Sequence, residues 1–195
     1  MKPSKKSRGY TLIEILVTVV IIGIFAVITI ANLFPWIQKS NINNANNQIY
    51  QGISQAQAYS TQRNQYYQFS LQNNNGVLQY AVHLASVDPS VTGNVFWKSL
   101  LDKVTIVASP QTNMTSLNSI YQICFTEQGV PSTPSGSGIA HACTIPATFT
   151  PPQQITLSSS LYSNYQRCVN VSTLLGAMTT GYGPQAANSN GFTCY

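Results

Sequence analysis

One carboxylate stands inside a long apolar run. From Leu12 to Phe34 the chain is apolar except for Glu14, Thr18, Gly23, Thr29 and Asn32, and the four basic residues Lys2, Lys5, Lys6 and Arg8 lie just before it. As a helix, this run measures roughly 34 Å, long enough to cross a bilayer. A carboxylate in such a helix costs of order 2.5 to 3.5 kcal/mol on insertion scales, so it needs a partner or a function. A cut after Gly9 supplies one: Tyr10 then carries a free, positively charged α-amino group that Glu14 of a neighbouring subunit can neutralise. A plain signal anchor explains the apolar run and the basic flank, but not the acid at this position.

The stretch Gly9-Tyr10-Thr11-Leu12-Ile13-Glu14 resembles the processing site of type IV prepilins and of the pseudopilins of type II secretion, with Tyr10 in place of the usual Phe. The resemblance implies that a membrane-embedded prepilin peptidase cuts after Gly9 and methylates Tyr10, and that Glu14 acts in filament assembly. The basic flank places the leader in the cytoplasm by the positive-inside bias. The expected location is the inner membrane, single-pass with the globular domain in the periplasm, and then a pilus or pseudopilus. Expected partners are other pilin or pseudopilin subunits, the prepilin peptidase, the inner-membrane assembly platform and, before assembly, membrane lipid.

The elements that carry this segment follow from periodicity. Pro35 lacks a donor and should kink the helix. Beyond it Ile37, Ile42, Ala45, Ile49, Ile53, Ala56 and Tyr59 recur at steps of three and four, which predicts an amphipathic continuation to about Arg63. The expected layout is a cleaved leader 1–9, a long helix 10–63 with a transmembrane part 12–34, and a globular β-rich domain 64–195. In the last of these, Tyr66–Leu71 and Val77–Leu84 read as a hairpin around Asn73-Asn-Asn-Gly76. Lys103–Ala108, Ile120–Thr126, Ile155–Ser158 and Tyr165–Val171 read as further strands. Val95–Leu101 is expected to be a short helix or irregular, and Gly129–Gly138 a loop. The fold class is α+β: a long N-terminal helix packed on a C-terminal antiparallel β domain with two sheets.

Of the nine basic residues, four precede Gly9, which leaves five against four acidic ones, so the formal charge of +5 overstates the processed protein. Only 7% of residues are charged, and solubility rests on Asn, Gln, Ser and Thr. Four cysteines in an exported chain favour two disulfides with three possible connectivities; the pairing expected is Cys124 with Cys143 and Cys168 with Cys194. The first ties a Pro/Gly/Ser-rich loop and the second staples the tail. No Cys-x-x-Cys pair suggests zinc, and no metal or other cofactor is expected.

Beyond the processing site, three stretches resemble the GspH/FimT family of minor pilins and pseudopilins: Ala56–Asn64, Phe125–Gly129 (with Glu127 replacing a proline) and Arg167–Gly176. Some relatives bind DNA through a Gly-Arg-x-Arg motif after the last strand. Here the matching residues are Gly176-Ala177-Met178-Thr179 and no Lys or Arg follows Arg167, so nucleic acid is not an expected partner. His83, His141, Asp88, Asp102 and Glu127 form no catalytic spacing, and an enzyme is not expected. The expected function is a minor type IV pilin of the pilus tip or initiation complex. The alternatives are a type II secretion pseudopilin and a DNA-binding competence pilin. The sequons at Asn113 and Asn170 matter only in a host that glycosylates them.

Overall fold

The computed structural model describes residues 10–101, 103–108, 111–117, 119–134, 143–144, 151–161 and 163–183, without the side chains at 28–32, 117, 133–134 and 143–144. Among the described residues one helix, α1 (Leu12–Arg63), is followed by eleven strands: β1 (Tyr67–Asn74), β2 (Val77–Leu84), β3 (Lys98–Ser99), β4 (Val104–Ile106), β5 (Ser116–Leu117), β6 (Ile120–Phe125), β7 (Pro131–Pro134), β8 (Cys143–Thr144), β9 (Gln153–Ser159), β10 (Gln166–Val171) and β11 (Met178–Tyr182). One sheet has the order β3-β2-β1-β6-β7-β8 with β5 beside β6; the other has the order β11-β10-β9-β4. All pairings are antiparallel. This is the expected α+β class with two sheets.

The chain divides into two compact units, 1–37 and 38–195, and α1 belongs to both. In the second unit the helix buries Ile42, Ala45, Ile49, Ile53 and Ala56 completely. They meet Phe69, Leu71, Leu78, Ile123 and Phe125 of the first sheet and Ile155, Leu157, Val169 and Val171 of the second in one core. Ile37, the first member of the expected stripe, is 46% exposed, and the buried row starts instead with Gln38. Gln38 tolerates burial because its Oε1 accepts the Ser159 hydroxyl at 2.9 Å. The helix ends where expected: Asn64 takes a positive φ of 50° and the Gln65 amide reaches back to the Ser60 carbonyl at 3.2 Å, a Schellman closure.

The hairpin forms as expected, with β1 starting one residue later and running three residues further than its alternation predicts. Its turn is Asn75-Gly76, both at positive φ (51° and 83°), with Asn74 opposite Val77. Other expectations need correction. Within 129–138, Pro131–Pro134 is a strand, because the turn at Gly129 (φ 75°) folds Pro131 back opposite Phe125; residues 135–138 lie outside the described residues. Within 95–101 there is no helix: Lys98–Ser99 pairs with β2. The strands β5, β8 and β11 were not expected at all.

Candidate functional site

The start of α1 is built locally. Thr11 is its N-cap: the Glu14 amide donates to Thr11 Oγ1 at 3.3 Å and to the Thr11 carbonyl at 3.1 Å. Thr11-Leu12-Ile13-Glu14 has the spacing of a capping box, a signal readable in the sequence alongside the processing-site pattern. Glu14 is the acidic residue of the first helical turn, where the helix dipole favours negative charge by about 0.3 to 1 kcal/mol. Tyr10 precedes the helix and is 78% exposed; Gly9 lies outside the described residues. The carboxylate is therefore held one turn from the backbone nitrogen that cleavage would free.

Around Glu14 none of the helix's described large apolar side chains is buried. Leu12, Ile13, Ile15, Leu16, Val17 and the residues on to Val27 are exposed on every side of the helix, as are Leu33, Phe34 and Trp36. A helix apolar all round requires an apolar environment, since each fully buried Val, Leu or Ile is worth about 1.5 to 3 kcal/mol over exposure to water. Among the described residues no helix is long and apolar enough to cross a membrane.

Residues 4–30 match the prokaryotic N-terminal methylation motif. The motif marks a type IV pilin-like protein. It contains Gly9, Tyr10 and Glu14 and stops before the globular unit, so nothing in it selects the GspH/FimT branch. No curated protein and no solved structure matches the chain.

The three stretches that suggested that branch meet at the C-terminal end of α1. Gln57 Nε2 donates to the Gly129 carbonyl at 2.9 Å and approaches the Leu175 carbonyl at 3.4 Å. Both turns are glycine turns: a Cβ on Gly129 would meet Thr61 at 2.8 Å, and one on Gly176 would meet Gln57 at 2.5 Å. Gln57 thereby ties both sheets to the helix, a role its isolated position in the sequence does not signal.

Cys124 and Cys168 are fully buried and disulfide-bonded. The side chains of Cys143 and Cys194 lie outside the described residues, and with them the expected pairing. His83 is buried with its Nε2 2.9 Å from Ser70 Oγ, while its Nδ1 lies 2.8 Å from the Leu84 carbonyl oxygen, which can only accept, so Nδ1 carries a proton and donates it there. Ser70 is sealed from solvent and cannot meet a substrate. His141 and Asp102 lie outside the described residues. Among the described residues no group of three His, Cys, Asp or Glu is placed to hold a metal. Asn113 has both amide atoms engaged, donating to the Pro152 carbonyl at 2.8 Å and accepting from the Gln154 amide at 2.6 Å. Asn170 Oδ1 is buried.

Proposed function

We propose that this chain is a minor type IV pilin, a structural subunit of a pilus tip or initiation complex rather than an enzyme. The observation that carries the reading is the contrast along α1. From Gln38 onward its apolar face is already covered by the two sheets, whereas the large apolar side chains of 12–27 stay exposed among the described residues and begin at a capped carboxylate. The first part is surplus to folding and available for membrane and then filament. On this reading 12–34 lies in the inner membrane until the prepilin peptidase cuts after Gly9 and methylates Tyr10. Helices leaving the membrane then bury their apolar surface against one another. Glu14 sets the register, because only the correct stagger brings an α-amino group to each carboxylate, and a mis-staggered subunit leaves a charge unpaired in an apolar bundle.

Glu14→Ala and Glu14→Gln should both be cleaved normally and both enter filaments poorly. Alanine removes the carboxylate and glutamine removes only its charge, so equal defects point to charge pairing. Normal incorporation of either variant, read by immunoblot of sheared filaments, sinks the assigned role. At the level of the organelle, deletion of the chain should strongly reduce surface pili per cell, restored by complementation. Unchanged pili, with secreted cargo held in the periplasm, would assign the chain to a type II secretion pseudopilus instead; loss of DNA uptake alone would assign it to competence.

A further inference from the structure

Asparagine followed by glycine carries a reaction of its own. The glycine amide nitrogen can attack the asparagine Cγ, and with no side chain on the glycine this pair reacts faster than others. The sequence holds two such pairs, Asn75-Gly76 and Asn190-Gly191, and the second lies outside the described residues. Asn75 and Gly76 are both exposed, and a Cβ on Gly76 would meet nothing within 4 Å, so water reaches the pair. Two features oppose the attack. The first is the turn: φ of 51° at Asn75 and 83° at Gly76 is the type I′ pattern, which sets ψ of Asn75 at about 30°. For an L residue this places Cβ roughly 150° from the Gly76 nitrogen about the Cα–C bond. The attack closes a nearly planar five-membered ring in which that angle approaches zero, so the side chain is turned away from its nucleophile. The second is Asn73. Its Oδ1 accepts the Gly76 amide proton at 2.9 Å, and the nitrogen must lose that proton to react. Asn73 lies opposite Leu78 in the β1–β2 ladder, so strand pairing holds the acceptor in place.

We propose that Asn75 is a latent modification site: the closed turn and Asn73 block its intramolecular deamidation, which starts when the end of the hairpin opens. In the reaction the Gly76 nitrogen gives its proton to hydroxide and bonds to Asn75 Cγ. The Cγ–Nδ2 bond breaks, ammonia leaves with a proton returned by water, and a succinimide remains. Water then opens either carbonyl to give aspartate or isoaspartate, so the net change is one water taken up and one ammonia released. Both products add a negative charge. Isoaspartate also lengthens by one carbon the backbone of a two-residue loop that sets the register of Phe69 and Leu71 with β2. The site thereby records an opening of the hairpin in a form that reclosure does not erase.

The test incubates the full chain in mild detergent at mildly alkaline pH, with a parallel sample in denaturant, and reads conversion of Asn75 by peptide mapping over time. Native Asn75 should deamidate at least about ten-fold more slowly than in denaturant, where Asn190 supplies the rate of an unguarded pair. Asn73→Ala should speed the native reaction about five-fold, the factor that one net hydrogen bond supplies, and leave the denatured rate unchanged. Asn73→Asp keeps an acceptor oxygen at the same reach and should stay as slow as the wild type. Asn73 is exposed, so neither variant disturbs the core. Equal native and denatured rates in the wild type overturn the proposal. So does a native rate that Asn73→Ala leaves unchanged, or one that Asn73→Asp raises as much as Asn73→Ala does.

Discussion

Gly52 shows how one residue's packing can outweigh its propensity. It lies mid-helix, where alanine is favoured by roughly 1 kcal/mol. A Cβ there would stand 2.7 Å from Phe69 Cε2 and 3.1 Å from Tyr80 Cδ2. Phe69 is fully buried and cannot swing away, and overpacking of this kind costs about 1 to 3 kcal/mol. Packing should win: Gly52→Ala is expected to lower the thermal midpoint of the detergent-solubilised chain by a few degrees. A raised midpoint would mean that the aromatic pair, stacked at 5.9 Å between centroids, yields more easily than its burial implies. Gln57 is the converse case, a surface amide whose value lies in its two distant acceptors. Gln57→Ala should cost about 1 kcal/mol and loosen the turns at Gly129 and Gly176 together, measured as faster amide exchange in both.

Among the described elements β11 ends its sheet, and two backbone bonds set its hydrogen-bond phase. The Ser172 amide bonds to the Ala177 carbonyl and the Gly183 amide to the Gln166 carbonyl. With the register Asn170 to Thr179 and Cys168 to Gly181, the backbone of Thr179 points toward β10 and that of Thr180 points away from it. Proline should therefore be far better tolerated at 180 than at 179, since only at 179 does it remove a ladder donor and strand the opposing carbonyl. Thr179→Pro is expected to unfold at a midpoint about 5 °C below that of Thr180→Pro, a gap of order 2 kcal/mol for a chain of this size. Equal midpoints would overturn the assigned phase.

For the whole molecule, stability has two sources that can be separated. The core of the 38–195 unit joins one helix face to both sheets, and disulfides at Cys124 and Cys168 restrict the unfolded chain. Losing a native disulfide from a domain of modest size costs about 2 to 5 kcal/mol. Cys168→Ser should lower the denaturation midpoint accordingly, and peptide mapping without reductant should recover Cys124 joined to Cys143 and Cys168 joined to Cys194. A different connectivity would reject the expected pairing. Cations are handled unusually: Lys39, Arg63, Lys98 and Arg167 each lie against a tyrosine ring. Such contacts depend less on ionic strength than surface ion pairs, so the folded unit should lose little stability between low and moderate salt.

The sequence by itself determined the features whose physics is local. The methylation motif with Gly9, Tyr10 and Glu14, the cap at Thr11, the helix end at Arg63 and the Asn75-Gly76 hairpin each lie within a few residues, where spacing and turn chemistry suffice. Much of the helix's buried stripe was also legible, because a period of three and four residues names a face. Tertiary structure alone decided where that face begins, at Gln38 rather than Ile37, because the choice depends on Ser159 more than a hundred residues away. It also decided that Pro131–Pro134 is a strand and that Met178–Tyr182 forms an edge, since a short segment of weak propensity becomes a strand only when a neighbour offers its ladder. Gln57 belongs to the same class. Its role comes from groups distant in the chain that only the packed helix and sheets bring within bonding distance.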